Sequence, residues 1–236
     1  MRVQVIRADH GSCPYLPART WTTYSFSPVS MEPGLYEALL REGWRRSGQT
    51  YYQNHCPSCN LCTPIRVPAA LFTPTRSQRR VMRLNSDVCV DIAPTGIDDE
   101  VFDLYSRYIN ERHPTGSPPT HDEYLTFLGS SPCETLLMRY RVRNRLVGAG
   151  WVDVLPDGLS SVYYAFDPAE SKRSLGTFSV TQEVAATLER GKRWLYLGFY
   201  VPGSRKMAYK ANFKPHELAI RGQWVDPSLT GELWQS

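Results

Sequence analysis

The 236-residue sequence predicts an α+β fold in which a smaller, cysteine-containing N-terminal part precedes a larger part made of a sheet and helices. Three observations lead to this prediction. Strand-like runs with short turns between them fill the middle of the chain, and helical segments with apolar residues three or four positions apart flank these runs. The closely spaced cysteines Cys56, Cys59 and Cys62 all precede them. A Pro-Thr-Gly break divides the chain into residues 1–95 and residues 96–236.

One helix stands out in the N-terminal part. Pro33 suits the first helical turn, Gly48 suits a stop, and apolar residues recur between them at helical spacing. This helix would carry Arg45 and Arg46 toward the cysteines. Around it we expect irregular structure or short strands at 1–30 and extended segments at 65–72 and 87–92.

The C-terminal part is predicted to alternate helices and strands. Its centre is an antiparallel meander of three strands, because Arg-Asn and Pro-Asp-Gly turn signals separate three apolar runs. In chain order we predict a helix from 98, a loop at 114–119, a helix at 121–128, strands at 134–142, 146–155 and 159–166, a helix at 175–189, a strand at 194–200, a short helix ending near 212, and a strand at 217–225.

Composition narrows the class of protein. Hydrophobic residues make up 42% of the chain, which is ample for a buried core, and the net charge of +4 is mild. The first residues lack an apolar core of signal-peptide length, and no window approaches the roughly 20 apolar residues of a membrane span. We therefore expect a cytoplasmic protein with no membrane partner. The six cysteines should then be thiols, metal ligands or redox groups in preference to disulfides.

The basic residues are concentrated in one stretch. No Asp or Glu occurs between Glu42 and Asp87, so nothing local offsets the arginines there. A positive segment of this kind favours a polyanionic partner, of which nucleic acid is the natural candidate, although a solvated surface is the simpler interpretation. The arginines are Arg45, Arg46, Arg66, Arg76, Arg79, Arg80 and Arg83.

The element order of the C-terminal part resembles the GNAT acyltransferase fold. In GNAT proteins the loop before the central helix reads [RQ]-x-x-G-x-[GA] and holds the pyrophosphate of acetyl-coenzyme A at the helix N-terminus. Arg173 and Gly176 match this motif, but Phe178 replaces its last small residue, and its ring would crowd a phosphate. We therefore expect a GNAT-like fold with an acyl donor other than coenzyme A. Arg173 and Gly176 could still bind a phosphate, or could simply begin a helix.

Several short motifs occur in a fixed order along nearly the whole chain. They are Cys13-Pro14-Tyr15-Leu16, Cys62-Thr63-Pro64-Ile65-Arg66, Arg76-Ser77-Gln78-Arg79-Arg80, Ser160-Ser161-Val162-Tyr163, Ser174-Leu175-Gly176 and YLGFYVPGSRKMAYKANFKP at 196–215. Each motif is weak alone, but together they resemble the arginyl-tRNA-protein transferase family, and most of all its short bacterial branch.

The resemblance implies transfer of an aminoacyl group from a charged tRNA to the α-amine of a protein with an acidic N-terminal residue, which marks that protein for degradation in the N-degron pathway. In the short branch the donor is leucyl-tRNA and the acceptors begin with Asp or Glu. Arginyl-tRNA as the donor remains an alternative. A leucine pocket should be apolar, whereas an arginine pocket should contain a carboxylate.

The implied reaction is aminolysis of an already reactive ester, so alignment of the substrates and donors to the oxyanion are the main requirements. As catalytic residues we predict Lys206, Lys210 and Tyr209, because the tail borders the acyl site in a GNAT-like sheet. A lysine would bind the acidic acceptor or a phosphate, and Tyr209 would donate to the leaving oxygen. Predicted substrate-binding residues are Arg66, Arg76, Ser77, Arg79, Arg80, Tyr163, Arg173, Gly176, Tyr196, Tyr200 and Ser204.

The cysteines suggest a metal site. Cys56, Cys59 and Cys62 have the C-x2-C-x2-C spacing that lets thiolates converge on one centre. The family resemblance implies an iron-sulfur cluster or zinc on these three residues together with Cys13. Leu16, however, stands where longer relatives have a second cysteine, and incidental thiols are the alternative.

Two rival functions differ in class. A coenzyme A-dependent N-acyltransferase would share the GNAT-like fold, and Phe178 is the feature against it. A metal-stabilised RNA-binding module without transfer activity would share the arginines and cysteines. The tail argues against the module, because it contains more Tyr and Lys residues than a domain with a purely structural role would need.

Overall fold

The computed structural model describes residues 3–112 and 117–228, and their strands form a four-stranded and an eight-stranded sheet. Half of the loop predicted at 114–119, residues 114–116, lies outside the described residues. Within the described ranges, no helix combines the length and the apolarity that crossing a membrane requires.

The small sheet is built entirely from the N-terminal part. Its strands are β1 (Ile6–Ser12), β2 (Thr20–Phe26), β3 (Trp44–Ser47) and β4 (Thr50–Asn54), paired antiparallel in the order β1-β2-β4-β3. The aromatic rings of Phe26 and Tyr51 stack on one face, with centroids 5.6 Å apart. Helix α1 (Pro33–Arg41) covers this face with Tyr36 and Leu40, which are fully buried. The expectation of short strands within residues 1–30 is confirmed.

Helix α1 is shorter than the sequence predicted. It begins at Pro33 as expected but ends at Arg41, so the predicted end at Gly48 is wrong. Gly43, with φ of +86°, turns the chain out of the helix, a conformation that glycine adopts without strain. Trp44, which seemed to continue the helical pattern, instead begins β3. The two arginines after it are therefore placed by a strand and not by a helix.

The large sheet joins both parts of the chain. Its strands are β5 (Thr63–Pro68), β6 (Val88–Pro94), β7 (Thr135–Val142), β8 (Arg145–Val154), β9 (Gly158–Phe166), β10 (Trp194–Tyr200), β11 (Glu217–Ile220) and β12 (Gln223–Val225). Their order is β12-β11-β5-β10-β9-β8-β7-β6. The antiparallel meander β7-β8-β9 is confirmed. The single last strand predicted at 217–225 is wrong, because a turn at Arg221 and Gly222 divides it into β11 and β12.

Helices cover both faces of the large sheet. They are α2 (Arg76–Leu84), α3 (Asp99–Arg112), α4 (His121–Tyr124), α5 (Leu175–Glu189) and α6 (Arg205–Ala208). Successive strand residues point to opposite faces. Leu137 accordingly packs in the cluster that contains Leu104 of α3, whereas its neighbour Met138 packs in the cluster that contains Phe178 of α5. The sheet is thus the middle layer of three.

Helix α2 was not expected from the arginine-rich stretch. Thr75 and Gln78 form a reciprocal capping box at its first turn, which satisfies backbone N–H groups that the helix leaves unpaired. The buried Gln78 amide also donates to the carbonyl oxygen of Asn212 at 3.2 Å, and so fixes the helix beside the tail of the chain. The arginines of α2 point away from this contact and are exposed.

Candidate active site

The large sheet opens between β9 and β10. These parallel strands pair through only three residues each, ending with Tyr196 opposite Ser160, although both strands continue further. Each strand also carries a β-bulge at this point, since Val162 has no partner on β8 and Leu197 has none on β5. Bulges bend a strand and interrupt its pairing. The two strands therefore diverge and leave a cleft.

Arg45 of β3 lies in this opening. Its Nη2 donates to the carbonyl oxygen of Ser161 at 2.8 Å, which satisfies a backbone group just beyond the last β9-β10 pair. Gly198, with φ of +87°, lies opposite. A Cβ atom there would be 3.2 Å from Lys210 Nζ and 3.5 Å from Arg45 Nη2. The missing side chain therefore lets two cationic groups approach the β10 backbone.

The cleft has a volume of about 700 Å³ and an unusual charge composition. Five cationic side chains line it, and no Asp or Glu belongs to its described lining. The cations are Arg45, Arg46, Arg112, Lys206 and Lys210. The rest of the lining is mainly aromatic and aliphatic. The cleft can therefore receive anionic and apolar groups but offers no counter-charge to a cation.

Lys210 has the chemistry of a base. Burial, together with the neighbouring Arg45 guanidinium, lowers the pKa of its ammonium group to about 7, although the charges of Glu183 and Cys62 oppose this shift. At neutral pH a substantial fraction of Lys210 is therefore the free amine, which can accept a proton. An ordinary lysine, with a pKa near 10.4, would be almost fully protonated.

Glu183 lies behind the cleft and does not line it. It belongs to α5 and is 0% exposed, and neither carboxyl oxygen meets hydrogen-bond geometry with a described side chain. Burial raises the pKa of Glu183 to about 8, while Ser161 and the charge of Lys210 oppose this rise. The group is therefore mostly protonated at neutral pH, as expected for a buried carboxyl without a partner.

Five predicted site residues do meet in the cleft: Lys206, Lys210, Tyr209, Tyr163 and Gly176. Tyr209 is 39% exposed at the edge of the cleft. Burial of its hydroxyl, together with the charge of Glu183, raises the pKa of Tyr209 to about 12, so it is a proton donor at neutral pH. Burial also raises the pKa of Tyr163. Gly176 begins α5 and has no atom within 4 Å of its Cβ position.

Other predicted substrate-binding residues lie elsewhere. Arg66 is stacked against the ring of Trp194, 3.5 Å from its centroid, and forms an ion pair with Glu217 at 2.6 Å. The buried Tyr196 donates to the carboxylate of Glu37 at 3.0 Å. Both side chains are therefore engaged by other side chains of the protein. Neither lines the cleft.

Arg173, Ser204 and Tyr200 also lie outside the cleft lining. Arg173 pairs with Asp87 at 2.8 Å and with Glu170 at 2.7 Å, so its charge is already matched within the protein. Ser204 is buried, and its carbonyl oxygen accepts from the backbone N–H of Ala208 at 2.8 Å. Tyr200 ends β10 and lines a neighbouring groove.

The predicted residues of α2 form an exposed basic surface. No ion pair involving Arg76, Arg79 or Arg80 is found among residues 3–112 and 117–228. Ser77 lines a groove that it shares with Tyr209 of the cleft edge. The groove therefore connects the α2 surface with the cleft.

The four predicted metal-binding cysteines line one separate cavity of about 350 Å³. Burial raises the pKa of the Cys62 thiol to about 12, and the charges of Cys13, Cys59 and Cys56 act in the same direction. In the part of the chain that the structure describes, no three His, Cys, Asp or Glu side chains are placed to hold a metal ion. The thiols as placed do not form a ligand set, and an iron-sulfur cluster or zinc stays a prediction.

The steric reason given against coenzyme A is not supported by the structure. The ring of Phe178 is buried in the core, 6.2 Å from that of Tyr140, and does not line the cleft. It therefore does not crowd the loop before α5. That the protein uses no coenzyme A stays a prediction.

Ser161, Glu183 and Arg112 belong to this region but were not among the predicted site residues. Ser161 was quoted only as part of a motif, and its position in the strand split depends on pairing that a sequence does not show. Glu183 could have been noticed as a carboxylate within a helix whose other residues, apart from Gln182 and the terminal Glu189, are apolar or small. Arg112 ends α3, and its guanidinium lies 5.3 Å from the Phe166 ring at the cleft.

The fold and the split sheet define the class of protein. A C-terminal domain (DUF2156) from Agrobacterium fabrum, assigned to a lysylphosphatidylglycerol synthetase, has a similar structure, with a TM-score of 0.51. The match covers 70% of this chain and 58% of that chain at 12% identity, so it shows the fold alone. The prediction of an α+β protein with a GNAT-like acyltransferase fold is confirmed.

Sequence comparison identifies the family. The family model "Arginine-tRNA-protein transferase, N terminus" matches residues 11–80, and "Arginine-tRNA-protein transferase, C terminus" matches residues 100–220. The chain therefore belongs to the arginine-tRNA-protein transferase family and is an aminoacyltransferase. The resemblance proposed from the motifs is confirmed. The boundary at residue 95 stays a prediction, although β5 and β6 from the first part lie in the large sheet.

Curated relatives match over almost the full chain. A protein from Pseudomonas fluorescens Pf-5 is 40% identical over 95% of this chain and 97% of its own length. One from Saccharophagus degradans is 41% identical over 90% of this chain and 92% of its own length. Both are named aspartate/glutamate leucyltransferase.

Proposed function

We propose that the protein transfers leucine from leucyl-tRNA to the α-amine of proteins that begin with Asp or Glu, a modification that marks them for degradation. The observation that supports this most directly is the composition of the cleft at the strand split. Its described lining contains five cations and many apolar groups but no carboxylate. The names of the curated relatives agree with this proposal.

The cleft favours a leucyl over an arginyl donor. Val162, Leu197 and Phe199 line it and supply apolar surface that a leucine side chain can bury. An arginine side chain would bring a guanidinium close to Arg45 and Lys210 without a carboxylate to balance it. Like charges in a partly desolvated site repel strongly.

The α2 surface supports tRNA as the donor carrier. Its exposed, unpaired arginines can contact phosphates, and the adjoining groove runs from Ser77 to Tyr209 at the cleft. A strand of RNA that followed this groove would bring its 3′ end to the strand split. Phosphate contacts of this kind fix position and make the affinity fall as salt rises.

Lys210 and Tyr209 supply the proton transfers in this proposal. The acceptor arrives largely as an ammonium ion, and the Lys210 amine removes one proton from it, so that the nitrogen lone pair can attack the ester carbonyl. The tetrahedral oxyanion then collapses, the bond to the ribose oxygen breaks, and Tyr209 donates its hydroxyl proton to that oxygen. Lys210 returns the first proton to solvent before it takes the second proton from the new amide nitrogen. Tyr209, whose pKa of about 12 keeps its hydroxyl protonated at neutral pH, regains its proton from solvent, so both groups return to their starting states.

The defining experiment measures label transfer from radiolabelled leucyl-tRNA and arginyl-tRNA to model proteins that begin with Asp, Glu, Arg or Ala. We expect label from leucyl-tRNA on the Asp and Glu proteins alone. Label from arginyl-tRNA would keep the family and overturn the donor. Binding of tRNA without transfer from either donor would favour an RNA-binding module.

Two substitutions test the proton transfers. Tyr209→Phe should lower the rate of leucine transfer by about 10²-fold without changing tRNA affinity, because only the donated proton is lost. Lys210→Met should have an effect of similar size. Unchanged transfer in Tyr209→Phe would remove Tyr209 from the mechanism. Lys172→Met, an exposed lysine outside the cleft lining, is the matched control and should transfer normally.

A further inference from the structure

Arg45 is a buried arginine for which the described residues provide no carboxylate partner. It is only 7% exposed, and none of the ion pairs among residues 3–112 and 117–228 involves it. Its one side-chain hydrogen bond to a described residue joins Nη2 to the carbonyl oxygen of Ser161. A guanidinium carries five N–H donors, so most of the hydrogen-bonding capacity of Arg45 is unused by the protein.

The adjacent Arg46 shows how the same strand satisfies a buried arginine internally. Its Nε and Nη2 donate to the two carboxylate oxygens of Asp153 at 2.7 and 2.6 Å. Buried charges are normally paired in this way, because an unpaired charge out of water is costly. Arg45 has no equivalent of Asp153, and it lines the cleft. An anionic group of a ligand bound in the cleft can therefore supply the counter-charge that Arg45 lacks.

The position of Arg45 relative to Lys210 limits what that ligand can be. Arg45 Nη2 and Lys210 Nζ lie 3.5 and 3.2 Å from one point, the Cβ position of Gly198, so they are at most about 7 Å apart. In an N-terminal Asp or Glu, the α-amine and the side-chain carboxylate are separated by only three or four bonds. One such residue can place its amine near Lys210 and its carboxylate near Arg45.

We propose that Arg45 is the specificity-determining residue for the acceptor, and that its guanidinium binds the side-chain carboxylate of the N-terminal Asp or Glu. This inference rests on the proposed function and names the residue that selects its acceptors. A planar guanidinium suits the purpose, because it can donate two parallel hydrogen bonds to one carboxylate. Arg45 lies on a strand that is paired with β4, and this pairing fixes the position from which its guanidinium extends.

The proposal also explains why the acceptor must be acidic. An acceptor that begins with Gln, the neutral isostere of Glu, would exclude water from Arg45 on binding but would leave its charge unpaired. Sites built around a specific polar contact reject analogues that lack it far more strongly than apolar pockets reject a missing methylene. The terminal phosphate of tRNA is the competing source of negative charge for Arg45.

The first test compares wild-type protein with Arg45→Lys and Arg45→Met, using acceptor proteins that begin with Glu and with its isostere Gln. We expect the wild-type preference for Glu over Gln in kcat/KM to fall by about 100-fold in Arg45→Met, chiefly through the KM for the acceptor. Arg45→Lys should retain part of the preference for Glu over Gln, because it keeps the positive charge. The KM for leucyl-tRNA should not change. Arg41→Met, at an exposed arginine that does not line the cleft, is the matched control.

Three outcomes would overturn the proposal. A Glu preference that survives in Arg45→Met would show that another group reads the carboxylate. A raised KM for leucyl-tRNA with an unchanged Glu preference would assign Arg45 to a phosphate. An equal loss for Glu and Gln acceptors would make Arg45 structural.

A binding measurement separates this inference from the proposed function and does not depend on the variants folding. Titration of wild-type protein with peptides that begin with Glu, Gln or the γ-methyl ester of Glu, without tRNA, should show about 10-fold or more tighter binding of the free carboxylate. If acidic peptides bind selectively but no leucine is transferred, the proposed reaction fails and the acceptor site stands. Equal binding of all three peptides would reject the site.

Discussion

Two groups of arginines from one stretch of sequence have opposite environments. Arg45 and Arg46 lie on β3, are 7% and 6% exposed, and belong to the interior of the protein. Arg76, Arg79 and Arg80 lie on α2 and are exposed. The two groups are about 30 residues apart in a segment without a single carboxylate. Charge density along a sequence therefore does not show which charges reach solvent.

Arg46 and Arg66 have carboxylate partners that are distant in sequence, whereas Arg45 is buried without such a partner among the described residues. Arg46 meets Asp153, which lies 107 residues further along the chain, and Arg66 meets Glu217 after 151 residues. These pairs form only when the two parts of the chain come together in the fold. The exposed arginines of α2 have no such partner among the described residues and remain available to a ligand. Pairing across the fold, and not local composition, therefore distinguishes Arg46 and Arg66 from the arginines that have no carboxylate partner among the described residues.

The largest effect is expected from Arg46→Ala. Side-chain exposure is 2% for Arg46 and 0% for Asp153, and Thr135 also donates to Asp153 at 2.6 Å. Removing the arginine leaves a buried carboxylate without its counter-charge, so we expect a loss of about 3–5 kcal/mol in the free energy of unfolding. Urea denaturation followed by circular dichroism measures it.

Arg80→Ala on α2 is the matched control and should change the free energy of unfolding by less than about 0.5 kcal/mol. The double variant Arg46→Met with Asp153→Leu should regain most of the lost stability, because both charges are then absent. Similar losses for Arg46→Ala and Arg80→Ala would contradict the division of the arginines into two groups.

A second prediction concerns Glu183, a buried carboxyl whose oxygens have no hydrogen-bond partner among the described residues. Because burial raises the pKa of Glu183 from about 4.5 to about 8, the native protein keeps a proton between these pH values that the unfolded chain releases. Its contribution to stability is therefore complete below about pH 4.5 and is lost as the pH rises to about 8. Glu183→Gln cannot titrate.

The stability of Glu183→Gln relative to wild type should consequently increase from pH 5 to pH 8, by at least about 1 kcal/mol. Urea denaturation at a series of pH values measures this difference. Asp87→Asn is a useful comparison, since the pKa of that exposed carboxyl is lowered by Arg173, so its contribution is lost as the pH falls. A difference for Glu183→Gln that does not vary with pH would mean that the carboxyl remains charged in the folded protein.

The sequence was sufficient for local elements and insufficient for the cleft. Turn signals located the β7-β8-β9 meander, because short hairpin turns of two and three residues and alternating apolar residues have local causes. The predicted end of α1 was wrong because the position of Trp44 fits both a helical and a strand pattern of apolar residues. Only the pairing of β3 with β4 decides between the two. Lys206, Lys210 and Tyr209 were predicted from the tail motif, and all three line the cleft. Arg45 was grouped with the other arginines, because its lack of a carboxylate partner is a property of the folded chain.

The smallest expected effects concern the exposed arginines of α2. Each of Arg76→Ala, Arg79→Ala and Arg80→Ala should weaken tRNA binding a few-fold and reduce the slope of log affinity against log salt by up to about 1, because one phosphate contact is lost. Stability should change by less than about 0.5 kcal/mol, since none of the three is in an ion pair within the described residues. Filter binding of leucyl-tRNA from 50 to 300 mM salt measures the slope. The preference for Glu over Gln acceptors should be unaffected, in contrast to Arg45→Met. If the α2 variants changed acceptor preference and left the salt slope intact, the exposed arginines would have to be reassigned to the acceptor and the buried one to the tRNA.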